Sequence, residues 1–426
     1  MTQLVICIVI FIASLVLYSV NVIPMALTSV LTMLAFVLTG CLDATKALGC
    51  FGNSTLIIYG SMYVLAEGLN RTRFTATLSG WILKLSRGSM RGAWLGYVLL
   101  AALLTSLIPS PPSAFAIVSP LCIATCHAFG EKPGKYMFAL GVVCIGCCYT
   151  LPFGSSISQA LLTNSFFEIY GLGEYAMQVT DPIVGRWPFA VLLILWAWLL
   201  APRRAPQHDG STPLKKPQVH APLSAFSEIM GVVIFAVVIL LMVLAAPLGL
   251  QPWQISLAGA AAMVLCGVLP DKDAYKAIPL PLLLTVVGAL ATGIALADTG
   301  AGDVIGNALA TLLGGTRNNY LFGGVLFLAS YLLTHVMLNS GVTALFRPVV
   351  LMVCAATGAN PVGPMILLMS SALTVYVSPL ATPVIPMLQA AGGYNGKELI
   401  SQGTVISVVM AVVQVVYVMT VFPAFS

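Results

Sequence analysis

The stretch MLNSGVTALFRPVV, residues 337–350, places Asn-Ser-Gly inside an apolar segment, and SPLATPVIP, residues 378–386, interrupts a second one. The first half of the chain carries the same kind of interruption in IPSPPSAFAIVSPL (108–121) and LPFGSSIS (151–158). Proline breaks helices because it lacks a backbone donor, and glycine weakens them by about 1 kcal/mol. The sequence therefore predicts two broken hydrophobic segments in each half of the chain.

The interruptions recur at a nearly constant distance along the chain. Three pairs of matching positions are 228, 227 and 231 residues apart, namely Pro120 and Pro348, Gly154 and Ala381, and Glu67 and Asp298. Paired interrupted segments in corresponding positions of two halves are typical of secondary transporters whose site lies at the breaks, near the bilayer midplane. The sequence therefore indicates an internal repeat and a transport site.

The composition is that of an integral membrane protein. Hydrophobic residues make up 59% of the chain and charged residues 7%, whereas about 25% of residues are charged in an average soluble domain. The net charge of +5 is spread over loops without a basic stripe, so we expect no nucleic-acid partner. The ten cysteines lie mostly in apolar runs, so we expect neither a disulfide nor a cysteine-bound metal.

Polar and Gly/Pro-rich joints divide each half into six elements. In the first repeat, residues 1–200, we predict plain spans near 4–20, 25–41, 55–69 and 183–200, a hairpin at 94–126 and a broken helix at 136–167. Residues 201–225 are predicted to form a cytoplasmic linker. In the second repeat, residues 226–426, we predict plain spans near 226–246, 253–269, 280–298 and 403–422, a hairpin at 320–356 and a broken helix at 361–391. The spans within 4–69 and at 183–200 are assigned to a scaffold.

The two predicted hairpins decide the topology. At about 1.5 Å per residue, 94–126 and 320–356 are each too long for one crossing, and their central breaks make them re-entrant. Such a break persists at membrane depth only if it is buried in protein or lines a wet cavity. A hairpin returns to its own side, so each half crosses an odd number of times and the halves are inverted. The predicted fold is an all-α polytopic membrane protein of two inverted repeats, each with a re-entrant helical hairpin and a broken transmembrane helix, giving about 10 spans plus 2 hairpins.

The distribution of basic residues agrees with this topology. Fourteen of the 18 lysines and arginines fall on one predicted face, which the positive-inside rule makes cytoplasmic. The opposite face holds Lys46, Arg186 and Arg317, and Arg347 lies within the second hairpin. We therefore expect a multi-pass protein of the inner (cytoplasmic) membrane with both termini on the extracytoplasmic side.

The breaks offer polar groups for two kinds of ligand. Half-helix N-termini attract anions, and unwound carbonyls with C-terminal helix ends coordinate cations such as sodium. Hydroxyl and amide side chains add oxygens there, namely Ser110, Ser113, Ser155, Ser156, Ser158, Asn339, Ser340, Thr343 and Thr382. This set suits a small anion together with a small cation.

The pattern of breaks resembles the divalent anion/sodium symporter (INDY-like) family of the ion transporter superfamily, which also includes arsenite permeases. That family has Ser-Asn-Thr at each hairpin tip, followed by a proline, and a Gly-Thr-Pro-Pro type turn in each broken helix. Here the tips read SPPSA at 110–114 and LNSGVT at 338–343, and the broken helices read PFGS at 152–155 and PLATP at 379–383. The resemblance covers the architecture from about residue 22 onward.

The resemblance implies a homodimeric symporter with an elevator-type motion, with sodium as the coupling ion and no other cofactor. It implies substrate contacts from Ser110, Ser113, Ser155, Asn339, Ser340, Thr382 and Pro383. It implies one cation group of Ser110, Ser113, Gly154 and Ser155, and a second of Asn339, Thr343, Ala381 and Thr382. Prolines replace the Asn and Thr of the first tip, so a monocarboxylate is an alternative to a dicarboxylate clamped from both tips.

Two further residues lie near the second tip. Arg347 is a basic residue in a re-entrant segment, where a charge is costly and usually functional, so it is a candidate for anion selectivity. The alternative role is structural, with the Arg347 side chain pairing with scaffold carbonyls. His335 precedes Asn339 by four residues on the same helical face and could support proton coupling; its alternative is a hydrogen-bonded packing role.

The sequence thus predicts a transporter of a small organic anion, a di- or monocarboxylate, in a lipid bilayer. An inorganic oxyanion or arsenite-type permease and a proton-coupled anion permease are the alternatives within transport. A membrane-embedded enzyme is the remote alternative, since the sequence contains no recognisable catalytic motif.

Overall fold

The computed structural model describes residues 3–20, 23–86, 88–108, 110–151, 154–206, 208–209, 223–245, 248–312, 317–335 and 338–425. Within these ranges the chain forms α-helices and two short 3-10 helices, Pro133–Lys135 and Gly173–Tyr175, and no strand. The first half holds α1 (Gln3–Val20), α2 (Met25–Leu38), α3 (Ala44–Phe51), α4 (Ser54–Arg71), α5 (Phe74–Leu85), α6 (Met90–Leu107), α7 (Pro111–Ala128), α8 (Met137–Gly146), α9 (Gly154–Ile169), α10 (Asp181–Leu199) and α11 (Ala201–Arg204). The second half holds α12 (Ala225–Val243), α13 (Pro252–Leu265), α14 (Asp271–Ala277), α15 (Leu280–Asp298), α16 (Ala301–Leu312), α17 (Asn319–Thr334), α18 (Asn339–Thr357), α19 (Val362–Ala372), α20 (Val384–Gly392) and α21 (Gly396–Val421).

The helices of the two halves follow each other in the same order. α3 and α14 have 8 and 7 residues, α5 and α16 both have 12, and α8 and α19 have 10 and 11. The predicted hairpins are the pairs α6–α7 and α17–α18, and the predicted broken helices are the pairs α8–α9 and α19–α20. The order of elements therefore repeats once, as the spacing of the breaks indicated, while the inversion of the repeats stays a prediction.

The membrane-spanning character follows from helix length and composition. Among the described residues, eight helical stretches are long and apolar enough to cross a bilayer. Six apolar helices are shorter, and α8 and α19 are among them. A half-helix of 10 or 11 residues reaches only about half-way across the hydrocarbon core at 1.5 Å per residue, as expected of a broken span. The predicted all-α polytopic class is confirmed.

Four short helices lie where the sequence predicted only joints. They are α3, α5, α14 and α16. The N-terminus of α3 is capped by Asp43, whose carboxylate accepts hydrogen bonds from the backbone N–H groups of Thr45 (2.9 Å) and Lys46 (3.2 Å). These bonds, with that from Lys46 the larger influence, lower the pKa of the Asp43 carboxyl below its ordinary value.

The helices pack in two groups. α1, α2, α4, α12, α13 and α15, called here the scaffold helices, contact one another, with α2 against α15 and α4 against α13. The hairpins and broken helices, α6–α9 and α17–α20, pack together with the last helix of each half, and α9 and α18 also contact the scaffold helices. The main packing partners of α10 are α6, α8 and α21, although the sequence assigned residues 183–200 to the scaffold.

Candidate functional site

The second hairpin tip is fixed to the second break by two hydrogen bonds. Asn339 donates its backbone N–H to the carbonyl of Ala381 at 2.9 Å. The Ser378 hydroxyl donates to the carbonyl of His335 at 2.6 Å. Ala381 and Ser378 lie between the half-helices α19 and α20, so the two interrupted elements of the second half meet at their non-helical parts.

A cavity of about 330 Å³ opens at this junction, between the second tip, the second break and the scaffold helices α4 and α15. Small-molecule sites in proteins have volumes of about 300–1,000 Å³. Nine of the residues predicted from the sequence line it, namely Ser110, Ser158, Asn339, Ser340, Thr343, Arg347, Ala381, Thr382 and Pro383. Residues from both tips and from both interrupted segments are therefore brought to one place.

The amide of Asn339 presents an acceptor to this junction. Its side-chain oxygen Oδ1 is buried and has no hydrogen-bond partner among the described residues. The hydroxyl of Thr343 is already used, because it donates to the carbonyls of Asn339 (3.1 Å) and Ser340 (3.0 Å). Leaving a buried acceptor unpaired costs about 1–3 kcal/mol. The Asn339 oxygen is therefore suited to receive a cation or a donor group of a ligand.

Arg347 supplies the positive charge of the cavity. Its side chain is 3% exposed, and its Nη2 donates to Oε1 of Gln159 at 3.0 Å. The guanidinium carbon lies 5.2 Å from the ring centre of Phe166, and Nε is buried without a described partner. No described carboxylate pairs with Arg347, and no other described lining residue is charged. A buried charge without a counter-charge is costly, so this arrangement favours an anionic ligand.

The residues that hold Arg347 were missed by sequence reasoning. Gln159 donates its Nε2 to the hydroxyl of Tyr149 at 3.0 Å, and both residues line the cavity. Tyr149 has a φ of 60°, the one described non-glycine residue in the left-handed region, and it lies in the first break. Such strained backbone is concentrated at functional sites. The sequence did contain a signal for Tyr149. Tyr149 and Tyr376 are 227 residues apart, which is the repeat separation of Gly154 and Ala381, so Tyr149 could have been recognised as part of the repeated break.

The first tip contributes less polar surface than the second. The hydroxyl oxygens of Ser110 and Ser113 are 2.8 Å apart, so these two predicted residues bond each other. Ser110 lines the cavity and is followed there by Pro111 and Pro112, the first residues of α7. Gly154 begins α9. The surroundings of Gly154, the side chain of Ser155 and residues 152–153 lie outside the described part of the chain.

His335 is not among the lining residues of the cavity. Its Nδ1 lies 2.9 Å from the carbonyl oxygen of Tyr331, one turn earlier in the chain, and the two rings pack edge to face with centres 4.7 Å apart. The carbonyl accepts, so Nδ1 carries the proton of this bond. These contacts match the packing role given above as the alternative to proton coupling.

Arg186 has a buried side chain. The sequence analysis placed it on the face opposite the cytoplasmic one, which stays a prediction, and the structure buries its side chain fully in α10. Its Nη2 donates to the carbonyl of Gly146 at 2.8 Å and its Nη1 to the hydroxyl of Ser370 at 3.2 Å. Arg186 thus lies inside α10, and its guanidinium contacts α8 and α19.

Comparison with known proteins gives the family. The citrate transporter family model matches residues 8–254 and 242–426, which together span nearly the whole chain. An uncharacterized transporter of Synechocystis is 26% identical over 191 residues, which are 44% of this chain and 30% of that protein. The sodium-dependent dicarboxylate transporter SdcS of Staphylococcus aureus is 22% identical over 437 residues, covering 94% of this chain and 82% of that protein.

A solved structure shares the fold. The YdaH transporter of Alcanivorax borkumensis superposes with a TM-score of 0.56 at 16% identity, over 93% of this chain and 90% of that chain. The family match and the relatives confirm the predicted relation to the ion transporter superfamily and its divalent anion/sodium symporters. The chain belongs to the citrate transporter family, and it is a multi-pass membrane transporter, not an enzyme.

Proposed function

We propose that this chain is a secondary active transporter that carries a small organic carboxylate together with sodium across the inner membrane. The proposal rests on one observation above all. The cavity at the second tip combines the buried guanidinium of Arg347, the amide oxygen of Asn339, which has no partner among the described residues, and the non-helical backbone at Ala381. An anion and a cation can bind side by side in such a place.

The anion is assigned to the guanidinium and to the start of α18. Arg347 lies on α18, eight residues after Asn339, and both line the cavity. The amino end of a helix carries a partial positive charge, and the Asn339 amide can donate through its Nδ2 while its Oδ1 faces a cation. A carboxylate bound here neutralises a charge that has no described counter-ion in the protein.

Sodium is assigned to the neutral oxygens of the same junction. Amide, hydroxyl and carbonyl oxygens at unwound helix segments are the ligands that transporters use for this hard cation. The candidate donors are the Asn339 amide and the Thr382 hydroxyl, beside the Ala381 backbone. Since Asn339 and Ala381 belong to different interrupted elements, a cation between them would hold the tip closed on the break. The name of the Staphylococcus aureus relative is in line with sodium coupling.

The transport movement is assigned to the hairpins and broken helices. They pack as one group, and the cavity lies where that group meets scaffold helices α4 and α15 through Tyr59 and Thr285. In an elevator-type cycle the group would move past the scaffold while carrying the anion and the cation. We further propose that the protein works as a homodimer in which the scaffold helices stay fixed.

The proposal is tested by uptake in proteoliposomes. Radiolabelled carboxylates, with sulfate as the inorganic control, are offered under an inward sodium gradient and under choline. We expect sodium-dependent carboxylate uptake that Asn339→Ala reduces to the background of empty liposomes. The matched control is Asn307→Ala, because Asn307 is an exposed asparagine on α16, away from the cavity.

Three results would count against the proposal. Uptake by Asn339→Ala equal to that of the unchanged protein would remove the second tip as the site. Uptake of sulfate but of no carboxylate would mean that the protein carries an inorganic oxyanion instead of a carboxylate. Carboxylate uptake that ignores sodium would remove the coupling ion from the proposal.

A further inference from the structure

We infer that the hydroxyl of Tyr149 donates a hydrogen bond to the second carboxylate of a di- or tricarboxylate whose first carboxylate is bound by Arg347. The inference rests on the proposed function and adds to it a binding residue and the number of carboxylates on the anion. It is carried by the direction of two hydrogen bonds, which link Arg347 to Tyr149 through the side chain of Gln159.

Arg347 fixes the orientation of the Gln159 amide. A guanidinium has donors only, so the amide atom that meets Nη2 of Arg347 at 3.0 Å is the oxygen Oε1. The amide nitrogen Nε2 is then the atom that meets the hydroxyl oxygen of Tyr149 at 3.0 Å, and it donates to that oxygen. Because the amide is neutral, Gln159 holds the guanidinium in place without cancelling its charge.

The hydroxyl of Tyr149 keeps its own proton for another acceptor. A phenol hydroxyl can donate one hydrogen bond while its oxygen accepts another, and here the oxygen accepts from Gln159. No described residue accepts the proton of Tyr149. Tyr149 is half-buried and lines the cavity, so this proton is available to a ligand there. The cavity therefore has a neutral donor in addition to the charge of Arg347.

The backbone of Tyr149 is held in a conformation that large side chains rarely adopt. Its φ of 60° lies in the left-handed region, at the break between α8 and α9. A glycine would adopt this conformation without strain, whereas a bulky residue is strained there. Such strain persists where the surrounding structure enforces it, and it is concentrated at binding and catalytic sites. This backbone conformation therefore supports a functional role for the tyrosine side chain.

The two donors together indicate the class of anion. Arg347 is the single charged residue among the described lining, and a guanidinium binds one carboxylate through parallel hydrogen bonds. A second carboxylate in the same cavity needs a neutral donor, because a buried carboxylate without hydrogen bonds is strongly unfavourable. The Tyr149 hydroxyl is such a donor, and one amide group separates it from the guanidinium. A small di- or tricarboxylate is long enough to reach both groups.

The variant Tyr149→Phe tests the inference, because it keeps the ring and removes only the hydroxyl. Dissociation constants for succinate, citrate and butyrate are measured from the ligand dependence of thermal unfolding, on the full-length protein in detergent with sodium. Succinate and butyrate have the same number of carbons and differ by one carboxylate. We expect succinate and citrate to bind about tenfold more weakly to the variant, since a hydrogen bond to a charged group is lost, and butyrate to bind equally.

The matched control is Tyr275→Phe, because Tyr275 is 72% exposed on α14 and is not among the lining residues. It should leave all three dissociation constants unchanged. Equal affinity of Tyr149→Phe and the unchanged protein for succinate and citrate would overturn the inference and leave the proposed function standing. So would an equal loss for butyrate, since Tyr149 would then act only by holding Gln159 and Arg347. If the unchanged protein neither binds nor takes up any carboxylate, both the inference and the proposed function fail.

A second variant, Gln159→Glu, tests the direction of the hydrogen bonds. A carboxylate accepts from both Arg347 and Tyr149, so it would take the free proton and cancel the charge of the guanidinium. We expect succinate and citrate to bind at least tenfold more weakly, while the melting temperature stays equal or rises because the buried charge gains a partner. A fall in both quantities would give Gln159 a packing role only and would overturn the inference. Unchanged affinity would overturn it as well.

Discussion

Arg186 joins three helices through one side chain. From α10 it reaches the carbonyl of Gly146 at the end of α8 and the hydroxyl of Ser370 in α19. The carboxyl end of a helix carries a partial negative charge, so the guanidinium is favourably placed at Gly146. The guanidinium carbon also lies 5.3 Å from the ring centre of Phe189. This residue therefore ties the first broken helix to the second.

Arg186→Lys tests that link. Lysine keeps the charge but has one ammonium in place of two separated N–H₂ groups, so it cannot serve Gly146 and Ser370 together. We expect the free energy of unfolding to fall by about 1–3 kcal/mol, the usual effect of losing a hydrogen bond from a buried charged group. The measurement is thermal unfolding in detergent, with Arg204→Lys at an exposed position as the control. Equal melting temperatures of the two variants would mean that the link does not stabilise the fold.

At the scale of helices, close approach of α2 and α15 depends on a residue without a side chain. A Cβ atom added to Gly288 in α15 would lie 2.5 Å from Cβ and 2.6 Å from the carbonyl oxygen of Ser29 in α2. Small residues allow such approach in membrane helices, where the gain comes from van der Waals contact. The Ser29 carbonyl belongs to the backbone, so it cannot turn away as a flexible side chain would.

Gly288→Ala should therefore force the two scaffold helices apart. We expect it to lower stability by about 1–3 kcal/mol, as overpacking does in tight cores. Gly324→Ala is the matched control, because the nearest atom to its added Cβ, Cγ1 of Val415, lies 3.8 Å away. The control should be neutral or up to about 1 kcal/mol more stable through helix propensity. A Gly288→Ala protein as stable as the control would contradict the close packing of α2 on α15.

At the scale of the whole molecule, the repeated order of helices and the re-entrant hairpins predict opposite orientations of the two halves. The joint before α17, which contains Arg317, should then face the outside, and α14, which contains Lys276, should face the cytoplasm. Both side chains are exposed. Nine of the ten cysteines are buried and Cys266 is partly exposed, so Cys266→Ala provides a suitable background.

Single cysteines introduced by Arg317→Cys and Lys276→Cys give the orientation. We expect a membrane-impermeant maleimide to label the first variant in intact cells and the second only after permeabilisation. The reason is the odd number of crossings in each half, together with the retention of basic loops in the cytoplasm. Labelling of both positions from the same side would rule out the inverted arrangement.

The helix breaks could be predicted from the sequence alone because they depend on the local chemistry of the residues at each break. Pro111 begins α7 and Asn339 begins α18 because neither proline nor an Asn-Ser-Gly run continues a preceding helix. The length of the apolar runs then separated hairpins from single spans. This length criterion did not predict α3 and α16, because both are too short to cross a membrane. Nine of the polar and break residues predicted from the sequence line one cavity.

The tertiary structure alone decided which partners the polar side chains have. Gln159 and Arg347 are 188 residues apart and meet at 3.0 Å, and Arg186 and Ser370 are 184 apart and meet at 3.2 Å. No local sequence pattern predicts either hydrogen bond, because each depends on how helices from different halves pack. The sequence by itself determined where the helices break and what chemistry the breaks offer. Packing between the halves determined that this chemistry surrounds one buried guanidinium, and that His335 lies outside the cavity lining.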